Sequence, residues 1–186
     1  MALRPAPYRF TVGEYYRMAE AGIFNEDDRV ELLEGEIVDM APIGSRHAAC
    51  VKRMNRFFSE QLREEVTVAV QDPIRLGELS EPQPDVMLLR PRPDYYAGGH
   101  PEPQDVLLLI EVADTTAAWE RGYKVALYAR AGVREVWLID LTAGTVEVCR
   151  RPEGGAYQSV RLVGPGERLA PEAFPETSCP AGELLA

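Results

Sequence analysis

The stretch "DVLLLIEVADTT", Asp105–Thr116, decides how this chain folds. Its apolar run, Val106 to Ala113, has the length and composition of a buried strand rather than of a helix, and a cluster of polar turn residues closes it. Yet Glu111 sits near its end. Burying even a neutral polar group without a partner costs roughly 2 to 7 kcal/mol, so a carboxylate here needs a hydrogen-bond network, a salt bridge or a metal ion.

Two more strand signals come just before it. "VTVAVQDPIRL" alternates Val66, Val68 and Val70, and "PQPDVMLL" follows after turn residues, so three consecutive strands build a sheet. After the opening stretch, "AAWERGYKVALYARAG" reads as a helix closed by Gly132. "REVWLID" and "TVEVCRR" then read as strands around Thr142-Ala143-Gly144. The strand, helix, strand order from Leu107 to Ile139 is a crossover, which requires a parallel pair within a mixed sheet.

Toward the N-terminus, "FTVGEYYRMAEAG" (Phe10–Gly22) has Thr11 as an N-cap and reads as a leading helix. In "RVELLEGEIVDMAP" two short runs flank Glu34-Gly35, the pattern of a β-hairpin. A second helix begins after Ser45. Val51, Met54, Phe58 and Leu62 form its apolar stripe, with His47 one turn upstream, and Lys52, Arg53, Arg56 and Arg63 lie on the other face. From Pro165 onward periodicity fades, so 165–186 reads as an irregular C-terminal segment. The expected fold class is α/β (α+β): a mixed sheet flanked by helices, with an N-terminal helix and hairpin.

The 186 residues, 46% of them hydrophobic, suit a single domain spanning 1–186. No apolar run approaches eighteen residues and "MALRPAPYRF" lacks a secretory core, so the expectation is a cytoplasmic protein with no membrane partner. Cys50, Cys149 and Cys179 are odd in number and contain no CxxC, against both a disulfide framework and a thiolate zinc site. The net charge of -10 argues against a broad basic surface for nucleic acid. GxSxG, GxxxxGK[ST] and GxGxxG are all absent, and only His47 and His100 could serve as a histidine base.

In an extended strand Glu111 shares a face with Leu107 and Leu109, while Val106, Leu108, Ile110 and Val112 point the other way. Asp85, after Pro84, opens another apolar run; if the two strands pair, both carboxylates converge near one end of the sheet. Two converging oxygen ligands suit Mg²⁺ or Mn²⁺, with water and substrate phosphate completing the shell. Lys124 lies roughly 10 Å along the following helix, abreast of Glu111. It could orient an attacking water and offset phosphoryl charge.

"RVELLEGEIVDMAP", "SRHAACVKRMNRFF", "PQPDVMLL", "LLLIEVADTT" and "ERGYKVALYARAGVREVWLID", in that order, resemble the bacterial putative restriction endonuclease domain family, a branch of the PD-(D/E)XK nuclease superfamily. The resemblance covers roughly residues 10–150 and implies a restriction-endonuclease-like core over that span. It places the metal carboxylates on Asp85 and Glu111. The usual superfamily lysine position holds Ala113, and the family pattern puts the lysine on Lys124 instead. Glu120 stands where an aspartate is common, and Glu31 and His47 match further polar positions.

The implied activity is a Mg²⁺- or Mn²⁺-dependent endonuclease acting on DNA, with Asp85, Glu111 and Lys124 catalytic and Glu31, His47 and Glu120 supporting. Lys52, Arg53, Arg56 and Arg63 are candidate phosphate contacts. A homodimer would let single-strand cuts fall on both strands. Each feature also has a plainer reading: carboxylates solvated or paired with arginine at strand ends, Glu120 and Lys124 as an i, i+4 helix pair, and His47 as a cap or core residue. These readings add up to the alternative, a catalytically inactive nuclease-fold module that binds nucleic acid or protein. The net charge and Ala113 favour it.

Overall fold

The computed structural model describes residues 6–25 and 27–186. Part of the N-terminal stretch read for a secretory core, residues 1–5, lies outside them. Helix α1 (Val12–Glu20) begins with a capping box in which Thr11 and Glu14 satisfy each other's backbone N–H groups. Strands β1 (Val30–Leu33) and β2 (Glu36–Asp39) form the expected hairpin. Its turn residues Glu34 and Gly35 have φ of 49° and 80°. A Cβ on Gly35 would stand 2.7 Å from Arg9 Cβ, so only glycine fits there.

Six strands make the main sheet: β3 (Thr67–Val70), β4 (Val86–Leu89), β5 (Val106–Ala113), β6 (Glu135–Asp140), β7 (Thr145–Glu153) and β8 (Ala156–Val163), in that spatial order. Only β5 and β6 are parallel; the other neighbours are antiparallel, so the sheet is mixed as the crossover required. Helix α2 (Ser45–Leu62) covers one face. Its buried stripe of Val51, Met54, Phe58 and Leu62, with Cys50, packs on Leu108, Ile110, Trp137 and Ile139. Gly44 supplies no side-chain cap, so this helix is held by burial rather than by its ends.

The other face is covered by α3 (Ala117–Trp119), a π-helical turn (Glu120–Lys124) and α4 (Val125–Ala131), which form one continuous element ending at the left-handed Gly132. Val125 and Tyr128 pack there on Leu109, Val136 and Leu138. All three cysteines are free and buried. Among the described residues no helix is long and apolar enough to cross a membrane.

Three sequence expectations need correction. The β4–β5 register shifts between Leu88 and Leu89, with Leu88 opposite Leu108 and Leu89 opposite Val106. The bulge breaks the strict alternation: Val106 joins Leu109 on the α4 side, while Leu107 packs with the α2 side, so Glu111 shares its face with Leu109 and not with Leu107. The edge strand β8, entered through Gly154-Gly155, has no counterpart in the sequence reading. Its residues are mostly exposed, so no apolar alternation marks it.

Third, 165–186 is not irregular throughout. Strands β9 (Arg168–Leu169) and β10 (Cys179–Pro180) pair, and α5 (Ala181–Leu185) follows. Leu169, Cys179, Ala181 and Leu184 are buried against the α2 face. The anchoring residues are too far apart in sequence to show a period.

Candidate active site

The β4–β5 ladder brings the two carboxylates together. Its last pair is Val86 with Ile110, and one further step of the same register sets Asp85 opposite Glu111 with both side chains on one face. Pro84 cannot donate a ladder hydrogen bond and ends β4 there. Beyond the last ladder pair the Val112 N–H donates to Asp85 Oδ2 at 2.9 Å, so this side chain supplies the acceptor there. His47 Nε2 stands 2.9 Å from the same oxygen, and Gln71 Nε2 donates to Oδ1 at 3.3 Å.

Glu111 is 3% exposed. Its Oε1 accepts a 2.5 Å hydrogen bond from Tyr128 and lies 3.5 Å from Lys124 Nζ. Lys124, equally buried, makes a closer pair at 3.0 Å with Glu31 Oε1. Glu31 in turn accepts from the Gln83 N–H at 3.1 Å through Oε2, which ties the N-terminal hairpin to the loop before Asp85. The partner of the carboxylate in the opening stretch is therefore a network of a tyrosine, a lysine and a second glutamate.

The π turn sets this network. Its wider spacing spans Glu120 to Lys124, and both side chains reach the site from it. Glu120 Oε2 is buried without a hydrogen-bond partner, as is His47 Nδ1. Glu31, Asp85, Glu111, Glu120, Lys124 and His47 all line one cavity of about 240 Å³ at this end of the sheet.

Four carboxylates thus face one ammonium and one imidazole. Burial pushes the Glu111 carboxyl well above its usual range, with Lys124 pulling it back and Glu120 and Asp85 adding to the rise. Burial likewise pushes Glu120 up to about 7, against Lys124. Burial pulls Lys124 down, but Glu111, Glu31 and Glu120 outweigh it and hold the ammonium charged. The hydrogen bond to Asp85 raises His47, against its own burial.

An oxygen-rich, electron-rich cavity with an unpartnered carboxylate oxygen fits a hard divalent cation. Among the described residues no three or more His, Cys, Asp or Glu side chains form a group that could hold a metal by themselves. Asp85 and Glu111 are the carboxylates that could hold such a cation, and further oxygen ligands would have to come from outside the chain.

The basic face of α2 lies elsewhere on that helix. Arg53 donates to the carbonyl oxygens of Leu184 and Ala186, and Arg56 pairs with Glu60 at 2.8 Å. Lys52 and Arg63 are exposed, and at 1.5 Å per residue Arg63 sits roughly 24 Å along the axis from His47. Sequence reasoning missed Tyr128, Gln71, Trp119 and Arg29, the last three of which line the cavity. Tyr128 carries a usable signal, because it lies at i+4 from Lys124 on a helix already assigned to the sheet. The other three come from loops or a helix start and carry none.

A model of the family described as "Putative restriction endonuclease" (Uma2) matches residues 12–182. The fold is similar to the crystal structure of a putative nuclease belonging to DUF820 from Anabaena variabilis. The TM-score is 0.71 at 16% sequence identity, with 95% of this chain and 97% of that chain covered. No curated protein matches this chain.

Proposed function

Since this chain belongs to the Uma2 family of putative restriction endonucleases, we propose that it is a divalent-metal-dependent endonuclease hydrolysing DNA phosphodiester bonds. The observation that carries this reading is the convergence of Asp85 and Glu111, opposite each other at the end of the β4–β5 ladder, with Lys124 Nζ 3.5 Å from Glu111. Asp85 and Glu111 would hold Mg²⁺ or Mn²⁺. When bound, the cation supplies Lewis acidity toward the phosphoryl group and the attacking water.

The remaining work falls to protein groups. The Val112 N–H and His47 fix the Asp85 carboxylate, and Tyr128 fixes that of Glu111, so both ligands are oriented before a cation arrives. Lys124, kept charged and pointed inward by Glu31, orients water and offsets negative charge on the phosphoryl transition state. Glu120 can accept a proton, because burial holds its carboxyl near neutrality. Lys52 and Arg63 are left as outlying phosphate contacts, since neither has an ion-pair partner among the described residues.

Calorimetric titration of Mn²⁺ into the wild type and Glu111→Gln, alone and with DNA, tests the reading alongside a cleavage screen. Binding and cleavage by the first and neither by the second are expected. Absence of Mn²⁺ binding to the wild type even with DNA would reduce Glu111 to a structural charge. That outcome would leave the second reading, a nuclease-fold binding module, which the Glu31–Lys124 ion pair favours because it already neutralises part of the site.

A further inference from the structure

At the cavity mouth Trp119 is exposed, and Tyr123 beside it is half-buried. Trp119 is 41% exposed and lines the cavity. Its ring stacks on Tyr123 with centroids 5.6 Å apart and planes 17° from parallel. Lys124 Nζ lies 5.8 Å from the Trp119 ring centroid and 3.5 Å from Glu111, so this indole borders the carboxylate site directly. Ile43, 42% exposed, lines the same mouth. Neither joins either core cluster, so two large apolar side chains stand together at the mouth of a cavity lined by charged groups.

The charges that flank this mouth point the same way. Arg46 is engaged by Asp114 at 3.0 Å and by the Leu141 carbonyl, and Arg121 by Glu147 at 2.5 Å and Asp140 at 3.6 Å. With these two arginines paired and a net charge of -10, the described residues around the mouth show no dense cluster of unpaired cations of the kind with which duplex binders release counterions. Stacking supplies the alternative attraction. It adds to whatever phosphate contacts exist and tolerates any base, because every base has a π face, but the base must be out of the duplex stack.

We propose that the Trp119–Tyr123 pair is a stacking platform for an unpaired base of the DNA strand whose phosphate lies at Asp85 and Glu111, so that the site takes single-stranded or flapped DNA in preference to continuous duplex. This assignment rests on the nuclease reading above and narrows its substrate. Trp119 selects the strand's conformation, while Asp85, Glu111 and Lys124 act on the phosphate. Arg29, which lines the mouth and donates to the Ala41 carbonyl at 3.3 Å, is placed to meet a neighbouring phosphate.

The chain has two tryptophans, and Trp137 is fully buried, so quenching of tryptophan fluorescence by DNA reports on Trp119. The full-length protein would be titrated in Ca²⁺ with a short oligothymidylate, with a hairpin duplex of equal length, and with the matching oligouridylate. Quenching by the single strand is expected, with affinity about tenfold above that for the duplex. Trp119→Ala should lose about that tenfold for the single strand alone, and Trp119→Phe should keep most of it. Equal affinity for both DNA forms, or a Trp119→Ala variant that binds the single strand like wild type, would overturn the platform and leave the nuclease reading standing. Tighter binding of oligouridylate would overturn the assignment to DNA. Binding of no nucleic acid would remove the nuclease reading and the platform with it.

Discussion

Replacing Lys124 by Met tests the electrostatic design of the site. The side chains of Lys124, Glu31 and Glu111 are 3–4% exposed, so their pairs are not the solvent-screened kind, which contributes about 0–1 kcal/mol. Removing one member of a buried pair leaves an uncompensated charge and costs about 3–5 kcal/mol. Methionine keeps most of the volume and removes only the charge, so the loss is electrostatic rather than a cavity.

That loss should also depend on pH. Without the ammonium, Glu111 and Glu120, both already raised by burial, must bury negative charge or take up protons, and protonation is easier in acid. Urea denaturation of wild type and Lys124→Met is therefore expected to show the full loss at about pH 8 and a clearly smaller one at about pH 5. A loss below about 1 kcal/mol at pH 8 would refute the reasoning. So would an equal loss at both pH values, since that would make Lys124 a packing residue.

Three further outcomes follow from the same geometry. Tyr128→Phe deletes the hydroxyl that donates to Glu111 and should cost about 1–2 kcal/mol in denaturation. It should also weaken Mn²⁺ binding about 10- to 100-fold by calorimetry, because Glu111 loses its orienting partner. Glu120, pushed by burial from 4.5 to about 7, holds a proton in the folded state that the unfolded chain releases. Its contribution to the stability of the metal-free protein is complete below pH 4.5 and is lost as pH rises through about 7, which a series of melts across that window would record. Arg56→Ala should change stability by less than about 0.5 kcal/mol in the same melts, because its bond to Glu60 is an exposed i, i+4 pair.

Much of this architecture is legible in local sequence, because strands and helices that bury one face repeat with their own period. Thr11 and Glu14 announce α1, Glu34-Gly35 the hairpin turn, and the stripe from Val51 to Leu62 the helix that covers the sheet. A carboxylate at the end of an apolar strand announces that something must answer it. The order of strand, helix and strand around Glu111 is enough to require the parallel β5–β6 pair.

Element lengths already set Lys124 abreast of Glu111, but the rest of what answers Glu111 was decided in three dimensions. Tyr128 and Lys124 reach it across a π turn, whose register no apolar repeat encodes, and Glu31 arrives from a hairpin far earlier in the chain. The bulge that turns Leu107 away from the Glu111 face depends on how β4 meets β5, not on either strand alone. The anchored C-terminal segment escapes the sequence because its stability comes from contacts with residues distant in the chain, and a local pattern records only what neighbouring residues share. Strand β8 pairs with its neighbour β7 and escapes for another reason: its residues are mostly exposed.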